Sequence, residues 1–158
     1  MKSILFVCLG NICRSPTARA LFEARLREAG LSIETDSAGV ADYHIGKAPD
    51  PRSISHALDW GVDIRAERAR QVQVADFHRF DAIFAMDRDN LAALERMAPP
   101  SASARLCLLM ELAPGYGLDE VPDPYYGGAE GFERVLDMLA SAADGLIESL
   151  EPSRSSAR

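Results

Sequence analysis

The chain has 158 residues, and its 24 acidic against 17 basic side chains leave a formal net charge of −7. With 47% apolar and 26% charged residues, it has the composition of an ordinary soluble globular fold, long enough for one sizeable core. The acidic balance argues against a nucleic-acid partner. No apolar run is long enough to cross a membrane, and two of the three cysteines share one short stretch, which fits a reducing, cytoplasmic compartment better than a disulfide scaffold.

In chain order, residues 3–8 are predicted to form a strand buried on both faces, because Ile4-Leu5-Phe6-Val7 is apolar at consecutive positions. Residues 16–29 are predicted to form a helix, with Ser15 as N-cap, Pro16 at the first helical position and Gly30 as the stop. Its apolar stripe is Ala18, Leu21, Phe22, Leu26 and Ala29. Residues 31–37 read as a second, more polar strand nearer an edge, followed by a loop over 38–47. Asp50-Pro51 opens a helix that stops at Gly61. Residues 64–73 show no clean period, and 74–80 suggest a short helix. A third buried strand is expected over 80–86, a helix capped by Asp87 over 88–97, and a fourth strand over 105–110. After a loop rich in Gly, Pro and acid at 115–128, the clearest helix covers 131–150, with Phe132, Val135, Leu136, Leu139, Ala143 and Leu146 at three- and four-residue steps. Strands alternating with helices predict an α/β three-layer sandwich with a four-stranded parallel sheet. Residues 1–151 read as a single domain and 152–158 as a flexible tail.

The stretch that carries chemistry is Cys8-Leu9-Gly10-Asn11-Ile12-Cys13-Arg14-Ser15-Pro16. It leaves the first strand and enters a helix N-terminus, where backbone N–H groups and the helix dipole form an anion site. Gly10 and Asn11 tolerate positive φ, so the loop can curl its amides inward. Arg14 supplies a planar fork matched to phosphate oxygens. The field that attracts a phosphate dianion also favours a thiolate at Cys8, and Ser15 could donate to that sulfur. A Cys-x5-Arg pair alone is a weak signal. Here the preceding strand, the Gly-Asn pair and the Ser-Pro helix start strengthen it against a merely buried Cys8. The ATP-binding loop is excluded because Gly-Lys-Ser/Thr is absent. In Pro122-Asp123-Pro124 the prolines restrict the backbone around a carboxyl group. From spacing alone, Asp123 reads equally as a turn former and as a general acid. His44, His56 and His78 show no ligand spacing, and no metal or cofactor is called for.

The run from Val7 to Pro16 resembles the signature of the low-molecular-weight protein tyrosine phosphatases, and the likeness extends over most of the chain. Asp123-Pro124-Tyr125-Tyr126-Gly127 is similar to the family's second motif. The resemblance implies a flavodoxin-like sheet with the phosphate-binding loop after the first strand. It implies a phosphotyrosine-containing protein as substrate, hydrolysed through a phosphocysteine intermediate. Cys8 would be the nucleophile, and Asp123 the acid and then the base. Arg14 would hold phosphate together with the loop residues Leu9, Gly10, Asn11, Ile12, Cys13 and Ser15. Tyr43 would stack on the substrate ring in a slot too deep for phosphoserine. Tyr125 and Tyr126 would be aromatic walls or, alternatively, targets of a tyrosine kinase. Cys13 would either pack under the loop or form a reversible, protective disulfide with Cys8 under oxidation.

Two departures stand out. Arg19 lies where the family usually carries an acidic residue, and Glu67-Arg68 replaces a segment that often carries histidine. Both touch supporting positions and put in doubt the hydrogen bonding around the loop more than the reaction. Three rival functions meet specific obstacles or tests in these residues. Arsenate reduction on this fold needs relay cysteines, but none lies between residues 81 and 90, and Cys107 sits in an apolar strand. Protein-arginine phosphatases carry a small polar residue where Ile12 stands. A non-catalytic phosphotyrosine-binding module would be expected to lack the nucleophile or the acid.

Overall fold

The computed structural model describes residues 1–156, with side chains through Glu151. Strand β1 (Ser3–Cys8) is followed by α1 (Arg14–Glu28), β2 (Glu34–Gly39), α2 (Pro51–Asp59), α3 (Asp76–Arg79), β3 (Ala82–Ala85), α4 (Arg88–Met97), β4 (Arg105–Leu108) and α5 (Ala129–Ser156). The strands form one sheet in the order β2-β1-β3-β4, and every pair is parallel. This is the predicted three-layer α/β sandwich.

The alternation of β1 builds both layers at once. Ile4, Phe6 and Cys8 face a core shared with Leu21, Phe22 and Leu26 of α1 and Val135, Leu139 and Leu146 of α5. Leu5 and Val7 face the opposite core, with Phe77 of α3 and Leu94 of α4. All four residues from Ile4 to Val7 are completely buried, each contributing about 1.5–3 kcal/mol of apolar burial. Phe6 anchors its side by ring contacts to Phe22 at 4.6 Å and Phe84 at 6.2 Å. Because β2 lies on one side of β1 and β3 on the other, the chain reverses direction across the sheet at β1. The loop that leaves β1 therefore opens into the crevice where such sheets bind ligands.

Several boundaries differ from the sequence expectation, each for a local reason. The second strand starts at Glu34 rather than 31, because Leu31 N–H turns back to the carbonyl of Leu26 (2.9 Å) after Gly30 at φ +74°. The fourth strand ends at Leu108, where the Glu111 carboxylate accepts from Leu108 N–H (2.8 Å) and curls residues 109–112 into a 3₁₀ turn. Helix α5 starts two residues early and its backbone runs on to Ser156; the rest of the expected tail, residues 157–158, lies outside the described residues. Asp50 and Asp87 cap α2 and α4 as expected, accepting from Arg52 N–H and Asn90 N–H at 2.8 Å each. No helix among the described residues is long and apolar enough to cross a membrane.

Candidate active site

Ser15 is not the helix cap. Helix α1 begins one residue earlier, at Arg14, with Cys13 at the cap position and no side-chain cap bond. The Ser15 hydroxyl is taken by the loop instead: it lies 3.0 Å from Cys8 Sγ. Asn11 holds that hydroxyl in place. Its Oδ1 accepts from Arg70 N–H at 3.0 Å, so its amide nitrogen must be the group that donates to Ser15 Oγ (2.7 Å) and Ser37 Oγ (2.9 Å). The Ser15 hydroxyl thus lies between the sulfur at 3.0 Å and the Ala38 carbonyl at 3.4 Å. Asn11 N–H adds a second donor to Cys8 Sγ at 3.3 Å. Asn11 is the only non-glycine residue at positive φ (59°) among the described residues, the strained turn that a curled loop requires. The N–H groups of Gly10, Ile12 and Cys13 have no hydrogen-bond acceptor among the described residues, which leaves them for an anion.

Arg14 is held from behind. Its Nη1 donates to Asp87 Oδ2 at 2.7 Å and to the Val121 carbonyl at 2.9 Å, and its side chain is almost fully buried. Burial pulls its pKa down, but Cys8, Asp87 and Asp123 outweigh it and push the value above the ordinary arginine range. The guanidinium is thus permanently charged and pre-oriented. Asp123 Oδ2 stands 3.7 Å from Arg14 Nη2, while Asp123 Oδ1 accepts from Tyr125 N–H at 3.0 Å. Asp123 thus forms a turn through one oxygen and faces the pocket with the other.

An open pocket of about 280 Å³ brings these groups together: Cys8, Leu9, Gly10, Ile12, Cys13, Arg14, Tyr43, Asp123, Tyr125 and Tyr126 all line it. Asn11 and Ser15 lie buried beneath the sulfur, where they hold the loop, rather than on the wall. Tyr126 is 92% exposed at the rim, and Tyr43 is also exposed. Cys13 is a free, buried thiol, and burial pushes its pKa up to about 12. Cys107 is also free, but it lines a different pocket beside Met1 and Leu146, away from Cys8.

Sequence reasoning missed His44, which lies on the pocket wall over Gly10, where a Cβ would meet His44 Cδ2 at 2.8 Å. Its only sequence signal was adjacency to Tyr43. The anchoring role of Asp87 also had no local signal. The two family departures pair with each other: Arg19 donates to Glu67 at 2.8 Å. Burial of Glu67 raises its pKa even against that partner.

Gly39 closes the underside. A Cβ there would lie 2.8 Å from the Leu9 carbonyl oxygen and 3.2 Å from Asn11 Cβ. Gly39→Ala should push the loop off the sheet and lower kcat/KM by about 10–100-fold, as expected for a sub-ångström misplacement of reacting groups. Steady-state kinetics on an aryl phosphate checks this; parent-like kinetics would show that the loop has slack.

A curled loop of free amides, a buried arginine and a hydrogen-bonded cysteine at the mouth of a parallel sheet make a pocket whose donors and cation are suited to an anionic group. Comparison with known proteins gives the family. The model for low molecular weight phosphotyrosine protein phosphatases matches residues 3–156. A low molecular weight protein-tyrosine-phosphatase of Streptomyces coelicolor is 44% identical over 149 residues, covering 91% of this chain and 90% of that protein. The crystal structure of a protein tyrosine phosphatase from Entamoeba histolytica superposes with a TM-score of 0.91 at 38% identity, covering 98% of this chain and 99% of that one. A drosophila arginine phosphatase superposes with a TM-score of 0.88 at 31% identity, covering 94% and 97%. The chain belongs to the low molecular weight phosphotyrosine protein phosphatase family.

Proposed function

We propose that this enzyme hydrolyses phosphotyrosine in protein substrates through a phosphocysteine on Cys8. In the first step the Cys8 sulfur attacks phosphorus in line with the aryl oxygen. The S–P bond forms, the P–O bond breaks, and Asp123 gives its proton to the departing phenolate oxygen. In the second step water attacks the same phosphorus, Asp123 takes its proton, and the sulfur leaves as inorganic phosphate is released. Arg14 and the loop amides hold the equatorial oxygens in both steps. The observation that carries this reading is the convergence on one pocket of a sulfur with two donors, a buried cation and a carboxylate.

The likeness to an arginine phosphatase supports a second substrate class. Ile12 on the pocket wall favours the first, because an apolar side chain there suits an aryl ring and offers a phosphoguanidinium no partner. Phosphotyrosine, phosphoserine and phosphoarginine peptides of one sequence separate the classes when assayed in the presence of EDTA. Hydrolysis of the phosphotyrosine peptide at least tenfold faster than either of the others is expected, on the order of the selectivity a shaped apolar slot can give. Preference for phosphoarginine would overturn the assignment of substrate.

A further inference from the structure

The nucleophile and the acid come from loops more than one hundred residues apart in sequence, and one side chain joins them. Arg52, in the first turn of α2, grips Asp50 with a two-pronged contact, Nε to Oδ1 at 3.0 Å and Nη2 to Oδ2 at 2.9 Å. That hydrogen bonding holds the Asp50 carboxyl below its ordinary pKa, so the pair stays charged. Asp50 in turn is tied to the phosphate loop: its N–H donates to the Ile12 carbonyl at 2.8 Å. On its other side, Arg52 Nη2 donates to the Tyr125 carbonyl at 2.9 Å. Its guanidinium carbon lies 5.4 Å from the centre of the Tyr125 ring and 4.8 Å from that of Phe132. Tyr125 N–H then donates to Asp123 Oδ1 at 3.0 Å.

A continuous run of hydrogen bonds therefore leads from the phosphate loop to the Asp123 carboxylate. Among the described residues, the bond from Arg52 is the only hydrogen bond that ties residues 122–127 to another part of the chain, beside the longer Asp123–Arg14 ion pair at 3.7 Å. Arg52 itself does not line the pocket. We propose that Arg52 is a strut that sets the distance between Asp123 and Cys8, a positioning residue for proton transfer to the leaving group and not a ligand of the phosphate. The proposal rests on Asp123 acting as the acid.

The test reads kcat/KM, which covers the steps up to phosphocysteine formation, for two aryl phosphates of different leaving-group acidity. Arg52→Met keeps the apolar stem over the rings and removes the fork. It should lose about tenfold or more with phenyl phosphate, whose leaving oxygen needs a proton, and less than about twofold with 2,4-dinitrophenyl phosphate. Near-parent activity on the second substrate also shows that the variant is folded with its loop intact. In an Asp123→Asn background, Arg52→Met should cost less than about twofold further with phenyl phosphate, because both changes remove the same step. Arg52→Lys, whose ammonium reaches one acceptor at a time, should fall between Arg52→Met and the parent. Equal losses on both substrates, or additive losses in the double variant, would overturn the strut. If Asp123→Asn alone shows no dependence on leaving group, the acid assignment fails and the strut with it. If that dependence is present and Arg52→Met lacks it, the strut alone is wrong.

Discussion

Cys8→Ser is expected to lose turnover by at least about 10⁴-fold, the scale set by removing a covalent nucleophile, while still binding inorganic phosphate. The substitution is nearly isosteric. A serine oxygen can keep the contacts with the Ser15 hydroxyl and Asn11 N–H that now fix the sulfur at 3.0 and 3.3 Å, so the loop should not move. The groups proposed to bind the anion are ones that the change leaves alone: Arg14, clamped by Asp87 and Val121, and the free amides of the loop. What is lost is a polarizable sulfur able to form and break a bond to phosphorus. Removing a group that can carry negative charge should leave phosphate affinity equal or slightly tighter. Isothermal titration with phosphate, beside a turnover assay, separates the two effects. Residual turnover above about one hundredth of the parent, far more than a missing nucleophile allows, would place the nucleophile elsewhere.

Asp123→Asn should steepen the dependence of kcat/KM on the leaving group. The amide oxygen of asparagine can accept from Tyr125 N–H as the Asp123 carboxylate does at 3.0 Å, so the turn survives and only the transferable proton goes. Phenyl phosphate should slow by about 10²-fold or more, within the usual range for a general acid, and 2,4-dinitrophenyl phosphate only a few-fold. The carboxylate lies 3.7 Å from Arg14 Nη2, so its neutralisation also removes a negative charge beside the phosphate site. KM should therefore not rise. Equal slowing of both substrates would remove Asp123 from the acid role and leave it as a turn former.

What could be read from the sequence was what is local. The buried run of β1, the glycine–asparagine loop and the Asp-Pro helix start each sit within a few residues of their cause. The error at Ser15 is instructive for the same reason. Local rules make Ser-Pro a helix cap, but the hydroxyl sits beneath the sulfur, where Asn11 holds it beside Cys8. The cap position is left bare, and bare amides are what an anion site needs. Asp123 was undecidable from spacing because its two oxygens face different ways, one to the Tyr125 N–H of its own turn and one toward Arg14. The supports of the site were out of reach, since they act across the fold. Arg14 meets Asp87 across 73 residues and Val121 across 107. Arg52 meets Tyr125 across 73. The paired departures, Arg19 and Glu67, are 48 residues apart, and each looked like an isolated oddity until the fold joined them.

In the proposed reaction the phosphoryl group must pass through Cys8. Rapid acid quench of the enzyme turning over a phosphotyrosine substrate, followed by peptide mass spectrometry, reads this directly. A phosphoryl adduct on the peptide from the first loop, located at Cys8 and absent from Cys8→Ser, is the predicted result. A phosphoryl group on any other residue would contradict it, as would the absence of adduct from Asp123→Asn enzyme quenched during turnover of 2,4-dinitrophenyl phosphate, whose leaving group needs no proton, so that the adduct should form and then hydrolyse slowly.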